Sequence, residues 1–510
     1  MKRTSRRPPT PATAPDHSPG SRAADRASAS AGARWSFREP WLLPALTILV
    51  SRLLLWRAIP FAAEDAYITF RYARHFAHGF GMVFNPGERV FGFSSPLWTL
   101  WMGAGFAVGA PPVVWARTTS LVAELVTLVV VVGMLRRHAS LGAAWCFAFF
   151  FAAWPYFGAV SVSGMESTLM LALVALSALG VEKRARWAGP ALAALALVRP
   201  EGLAAAAVLA FRAGWRDRLV SLALVSAGLV ALTLYFGSPM PQSVTAKSML
   251  YGTPGPWVGR HWWEWLSPFV FGRFPGVAES GHLLLLSVIF APAAFLGARV
   301  LWGHRRSALA AMVGACLVVW LGYALLGVAF FWWYLLVPLA GFGVLAAVGF
   351  PSLARGRGLY ASAGLLILGM WTITPQLYIG RAQNEALGFG AAGSYLATHA
   401  RPGQKVLLEP IGMIGYAAPL VVVDEVGLVS PGVARRRLQG AGWYTDVVAS
   451  ERPEWLVVRR GVLRGGQAFA GAGTPFRNLT ERDTLLSGYE NVAVADSLSG
   501  DMALLILRRR

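Results

Sequence analysis

Long uncharged runs separated by short polar connections occupy the first three quarters of the chain. Eleven runs match the length of a membrane-crossing helix or half of one: 41–59, 113–135, 141–160, 165–182, 187–199, 200–212, 219–236, 283–302, 308–328, 334–350 and 359–379. About 20 apolar residues in a helix span a hydrocarbon core of ~30 Å. The runs 187–199 and 200–212 are short, which predicts half-helices meeting at "RPEG" or a hairpin that does not fully cross. "SSPLWTLWMGAGFAVGA" (94–110) is also short, and predicts a re-entrant or interfacial helix within the loop 60–112. After residue 379 the pattern changes. "KVLLE" (405–409), "LVVVDE" (420–425) and "EWLVVRR" (454–460) predict short strands, with helices near 383–399 and 431–440. The expected architecture is a mainly α membrane bundle over 39–380 followed by a soluble α/β domain over 381–510.

Composition agrees with the pattern. The chain is 55% hydrophobic and 14% charged, against about 25% charged in soluble domains. The net charge of +21 raises the question of a nucleic-acid partner. The distribution argues against one, because much of the basic excess lies in short segments between apolar runs. Arg136–Arg137, Lys183–Arg184–Arg186, Arg212–Arg216–Arg218, Arg299–Arg305–Arg306 and Arg355–Arg357 all fall on the side of a Pro-, Ala-, Ser- and Arg-rich tail, 1–38. Basic connections stay on the cytoplasmic side. The tail reads as disordered and cytoplasmic, which puts the loop 60–112 and the C-terminal domain outside. Trp262, Trp263, Trp265, Trp332 and Trp333 suit the membrane–water boundary. Cys146 and Cys316 lie within apolar runs and predict buried free thiols rather than a disulfide.

Candidate chemistry starts in "AAEDAYITFRYARHF" (62–76), where Glu64 and Asp65 follow the first apolar run. Wound as a helix over 65–79, Arg71, Arg74, His75 and His78 share one face, and Asp65 sits where an N-cap would. The plain alternative is an interfacial helix with solvated charges. Further polar residues stand out against apolar surroundings. "SVSGMESTL" (161–169) holds Glu166, "LVRPEGL" (197–203) holds Arg199 and Glu201, and "PMPQSVTAK" (239–247) holds Lys247. Ionisable groups at membrane depth are expensive, so Arg199 and Glu201 are site candidates, with a pair that merely locks the hairpin as the alternative. Asp424 and Glu425 in "VVDEVGLVSP" read as a loop after a strand. Carboxylates that deprotonate a hydroxyl, beside cations that hold a departing phosphate, suit sugar transfer from a lipid phosphate.

At these residues the chain resembles the GT-C superfamily of polyprenyl-phosphate-sugar-dependent glycosyltransferases. More narrowly, it is similar to the bacterial group that includes the mycobacterial terminal arabinofuranosyltransferases. "EDAYITFRYARHFAHGFGMVFNPGERVFGFSSPLW" (64–98), "SGMES", "RPEG" and "PQSVTAK" carry the likeness, which spreads over 41–380. The resemblance implies a GT-C-type bundle in a bacterial cytoplasmic membrane. It also implies inverting transfer on the outer face, from a polyprenyl-phosphate sugar to an envelope glycan or lipid. An acid of the first outer loop is then the base. Asp65 aligns best, and Glu64 stands where the group often has Asp, so the division of labour between the two stays open. Glu166 resembles the second-loop acid that organises the site or a metal. Arg71, Arg74, Arg199 and Lys247 are implied phosphate contacts, with Glu201 beside them. No tightly bound cofactor is expected; a divalent metal is compatible but not predicted. The C-terminal domain does not resemble the β-sandwich module of the mycobacterial enzymes. A transporter or flippase of lipid-linked sugars is the competing reading, weakened by the odd span count and the lack of repeated halves.

Overall fold

The structure, a computed structural model, describes residues 41–250, 283–326, 328, 331–353, 383–464, 474–495 and 500–510. The tail 1–38, the run 359–379, the Arg355–Arg357 connection and Trp262, Trp263 and Trp265 lie outside the described residues. Helices occupy the other ten apolar runs. Four are long and apolar enough to cross a membrane: Pro112–His138, Trp215–Phe236, Ala308–Leu325 and Trp333–Leu353. A fifth span exists if Leu141–Ala153 and Tyr156–Val162, bent by 55°, count as one. The break falls at Pro155, which has no N–H to continue the helical ladder. The chain is therefore a mostly helical, multi-pass membrane protein with a small sheet.

The "RPEG" segment forms a hairpin of two short helices, Ala188–Val198 and Pro200–Ala210. Each has 11 residues, about 16 Å, half of a bilayer core. Arg199 between them is extended (φ −157°, ψ 154°), and Pro200 starts the second helix. The two pack so closely that a Cβ on Gly202 would collide with the Leu195 carbonyl. Trp333 is buried in the bundle. Cys316 is buried, Cys146 is half-buried, and both are free.

In the loop 60–112 the chain forms helix α1 (Glu64–Ala77) and helix α2 (Pro96–Ala107). At 12 residues α2 is too short to cross a bilayer, and it packs on α1 and on Pro112–His138. Helix α1 is covered on two sides. Ala66, Phe70 and Ala73 join the core of the helical bundle, while Ile68 and Tyr72 join a second core with Leu408, Val422 and Val457. The spacings 66–70–73 and 68–72 are two stripes of one helix.

The C-terminal unit centres on a five-stranded sheet: β1 (Lys405–Leu408), β2 (Val421–Asp424), β3 (Trp455–Arg459), β4 (Tyr489–Ala495) and β5 (Leu504–Arg509). The order is β2-β1-β3-β5-β4, with the first three parallel and the last two antiparallel to their neighbours. The three strands expected from sequence are present; β4 and β5 are additional. Helix Ala391–His399 and helix Pro431–Leu438 fall within the helical stretches expected there.

Candidate functional site

Helix α1 differs from the expected cationic surface helix. It starts at Glu64, so Asp65 lies in the first turn, and the N-cap position is Ala63, with no side-chain cap. Arg71 is 2% exposed. Its Nε donates to the Phe84 carbonyl at 2.8 Å, Nη2 to the Leu420 carbonyl at 2.6 Å, and Nη1 to the Gly415 carbonyl. Burial and the neighbouring Arg74 pull its pKa down to about 9. Arg71 thus ties α1 to the "FNPGERV" turn and to the C-terminal unit, with little left to offer a phosphate. Asn85 of that turn donates to the Val422 carbonyl at 2.9 Å and accepts the Val422 N–H at 3.0 Å, as a neighbouring strand would. The turn itself closes on Gly87 at φ +89°. Arg74 is half-buried, its guanidinium 4.3 Å from the centre of the Tyr416 ring. Burial pulls the His75 pKa down to about 4.

The two adjacent acids separate. The Glu64 carboxyl accepts the backbone N–H groups of Gly412 and Met413, the latter at 3.3 Å. Burial, then the charges of Asp65 and Glu409, push its pKa well above the usual carboxylate range. Asp65 keeps 27% of its side chain exposed, and Lys247 Nζ lies 3.9 Å from its Oδ2. The Lys247 ammonium also lies 4.2 Å from the centre of the Phe331 ring, a cation–π contact.

A second polar group sits inside the bundle. Glu166 precedes helix Ser167–Lys183 and is 1% exposed. Arg199 Nη1 donates to Glu166 Oε1 at 2.5 Å, and Arg199 Nε donates to Glu201. Glu201 also accepts the Tyr323 hydroxyl. Tyr323 stacks on Tyr334 at 5.1 Å, Arg199 lies 4.8 Å over the Tyr334 ring, and Tyr334 contacts Phe331 at 5.4 Å between centroids. The rings of Phe331 and Tyr334 therefore connect Lys247 and Asp65 to Arg199 and Glu166. The backbone joins them as well: Ala63 N–H donates to the Ser163 carbonyl at 2.7 Å, just before the turn at Gly164 (φ +81°).

Of the residues expected from sequence, Asp65 and Lys247 form one group and Glu166, Arg199 and Glu201 the next. Glu64 and Arg71 instead bond to the C-terminal unit, and Arg74 stacks on its Tyr416. Asp424 is not a loose loop residue. It is fully buried and accepts the N–H groups of Val426 (2.8 Å), Leu428 (2.5 Å) and Val429 (3.1 Å). Burial still pushes its pKa up to about 6. Among the described residues no three His, Cys, Asp or Glu side chains gather as a metal centre.

Three supporting residues were missed in the sequence. Arg117 clamps the carbonyls of Val162 (2.8 Å), Phe61 (2.6 Å) and Trp56 (3.4 Å). Arg52 pairs with Glu124 at 2.8 Å, both buried. All three are ionisable groups inside or beside apolar runs, the signal that had singled out Arg199.

Comparison with known proteins supplies the fold class. Residues 376–503 match a family described as a domain of unknown function, DUF8728. No curated protein matches in sequence. ArnT from Cupriavidus metallidurans bound to undecaprenyl phosphate superposes with a TM-score of 0.53 at 13% identity, over 92% of this chain and 98% of ArnT. Its apo state gives 0.57 at 13% identity, over 91% and 97%. The Archaeoglobus fulgidus oligosaccharyltransferase tethered to an acceptor peptide gives 0.53 at 12% identity, over 90% of this chain and 73% of that one. A mycobacterial arabinofuranosyltransferase, AftD, overlaps at 0.42 and 16% identity, over 91% of this chain but 41% of AftD, too loosely to carry an argument. The chain has the fold of the GT-C glycosyltransferases.

Proposed function

We propose that this protein is an inverting glycosyltransferase that moves a sugar from a polyprenyl-phosphate donor to an envelope glycan or lipid, with Asp65 as general base. The observation that carries the reading is the partly exposed Asp65 carboxylate beside Lys247, on a helix start held between the membrane bundle and the C-terminal sheet. Glu64 is the weaker candidate, because its carboxyl is occupied by backbone donors and its raised pKa favours the protonated form. In a single displacement the acceptor oxygen attacks the anomeric carbon while Asp65 takes its proton. The bond from that carbon to the phosphate oxygen breaks, and the lipid phosphate leaves with the electron pair. Lys247 has a flexible four-carbon stem and can turn from Asp65 to meet the growing phosphate charge. Glu166, Arg199 and Glu201 hold the floor of the site through the Phe331–Tyr334 rings. The GT-C fold, shared with ArnT bound to undecaprenyl phosphate, supports a lipid-phosphate donor. No tightly bound cofactor is required by these steps, so chelation with EDTA should leave turnover unchanged.

The test is a transfer assay in detergent with a panel of polyprenyl-phosphate sugars. Asn keeps the size of Asp but cannot take the proton, so Asp65→Asn should lower turnover by about a hundredfold or more with the Tm unchanged. Near-normal turnover in that variant would remove Asp65 as the base. A wild type that transfers from no donor yet translocates lipid-linked sugar in vesicles would establish the transporter reading instead.

A further inference from the structure

The parallel strands β2, β1 and β3 end along one edge of the sheet, and each end carries a charged side chain. Glu409 follows β1, Glu425 follows β2, and Arg459 closes β3. Ligands of open α/β sheets bind beyond the carboxyl ends of the strands, where successive connections diverge. That point lies at β1, with β2 on one side and β3 on the other.

The side chains at this edge are built for hydrogen bonding. Arg459 Nε lies 2.7 Å from Glu409 Oε2, and 26% of the Glu409 side chain remains exposed. Glu425 is 7% exposed, and its Oε1 has no hydrogen-bond partner among the described residues. A buried oxygen without a partner costs free energy until something bonds to it. Burial and the Glu409 charge push the Glu425 pKa up to about 8. At neutral pH its carboxyl therefore holds a proton and can donate as well as accept. The edge also meets α1. Glu64 bonds to Gly412 and Met413, just past Glu409, and Asp65 is the next residue.

The mix of groups selects the ligand. An anion would face the partly exposed Glu409 carboxylate. A divalent cation finds no three ligands gathered among the described residues. Sugar hydroxyls both donate and accept, and they match a carboxylate, a guanidinium and a protonated carboxyl side by side. The geometry points to an acceptor subsite at this edge: the Glu409–Arg459 pair and the Glu425 carboxyl bind the hydroxyls of a neutral sugar and present it towards Asp65. The role of that sugar as acceptor rests on the transfer reading; the binding itself does not.

Saturation-transfer NMR on the full chain in nanodiscs would test this, using the methyl glycosides of glucose, galactose, mannose and arabinofuranose as probes. At least one should bind the wild type. Glu409→Gln should weaken it roughly tenfold or more. Arg459→Lys keeps the ion pair, and so the fold, but loses the planar fork; it decides the matter if Glu409→Gln does not fold, and should also weaken binding. No binding of any probe to the wild type, or unchanged binding in the folded variants, would overturn the subsite. Glycoside binding that depends on Glu409, in a protein that transfers from no donor, would support the subsite and remove the catalytic reading of Asp65.

Discussion

Arg199 donates to two carboxylates at once, and all three groups are largely withdrawn from solvent. Removing one partner of such a set leaves buried charge without compensation, which costs about 3–5 kcal/mol. Arg199→Met should therefore lower the stability measured by thermal unfolding in detergent by that order. An unchanged melt would show that the set is not holding the hairpin. Two acids of the C-terminal unit give a prediction of a different kind. Burial raises Asp424 to about 6 and Glu425 to about 8, from ordinary values of 3.8 and 4.5. The folded chain then keeps protons that the unfolded chain releases. Their contribution to stability is complete below the unfolded values and is lost as pH rises through the folded ones. Tm should fall between pH 5 and pH 8, and Glu425→Gln should flatten that fall; an equal slope in the variant would refute the assignment. Glu166, Arg199 and Glu201 were legible because ionisable residues are rare inside apolar sequence. The fate of Arg71 was not legible. A helical wheel places it on a polar face, but the carbonyls of Gly415 and Leu420 that cover it come from more than 300 residues further along.

Elements bounded by proline, glycine or a sharp change in polarity were readable from the chain. The "RPEG" hairpin and the strands at 405, 421 and 455 belong to this group. Strand β4 was not readable: in "YENVAVA" its two ends are buried and most of the residues between are not, so no simple alternation marks it. At the edge of the sheet, its ladder pairs with β5, so its existence as a strand depends on that partner. The position of the "NPG" turn gives it a structural role. Asn85 satisfies both backbone groups of Val422 and so fastens the loop that carries Asp65 to the outer edge of β2. Asn85→Ala would leave those groups without their partner, at about 1–3 kcal/mol. Hydrogen exchange should quicken at Val422 and along α1, while helix Ser167–Lys183 keeps its protection. Protection unchanged at Val422 would mean that the sheet edge does not depend on the loop.

At the scale of the molecule the question is which face carries Asp65. Helix Pro112–His138 gives two fixed points, because Arg117 near its start clamps the loop leading to Glu64, and Arg136, Arg137 and His138 form its far end. A helix of 27 residues is about 40 Å long, enough to cross a bilayer. The basic end pairs with Glu182 through His138 at 2.8 Å and Arg137 at 3.3 Å. The C-terminal sheet packs on α1, at the Arg117 end. Basic residues are retained on the cytoplasmic side, so the sheet and Asp65 should face outward together. Single cysteines in a chain with Cys146 and Cys316 replaced by alanine would read this directly. Ser487 and Ala139 are both exposed, one in the C-terminal unit and one just past His138. In intact cells a membrane-impermeant maleimide should label Ser487→Cys, and should label Ala139→Cys only after permeabilisation. The reverse result would place Asp65 on the cytoplasmic face, where a sugar donor need not first be carried across the membrane, and would redraw the acceptor as a cytoplasmic one. Labelling of both in intact cells would contradict a single crossing by Pro112–His138, and with it the use of the basic connections to orient the bundle.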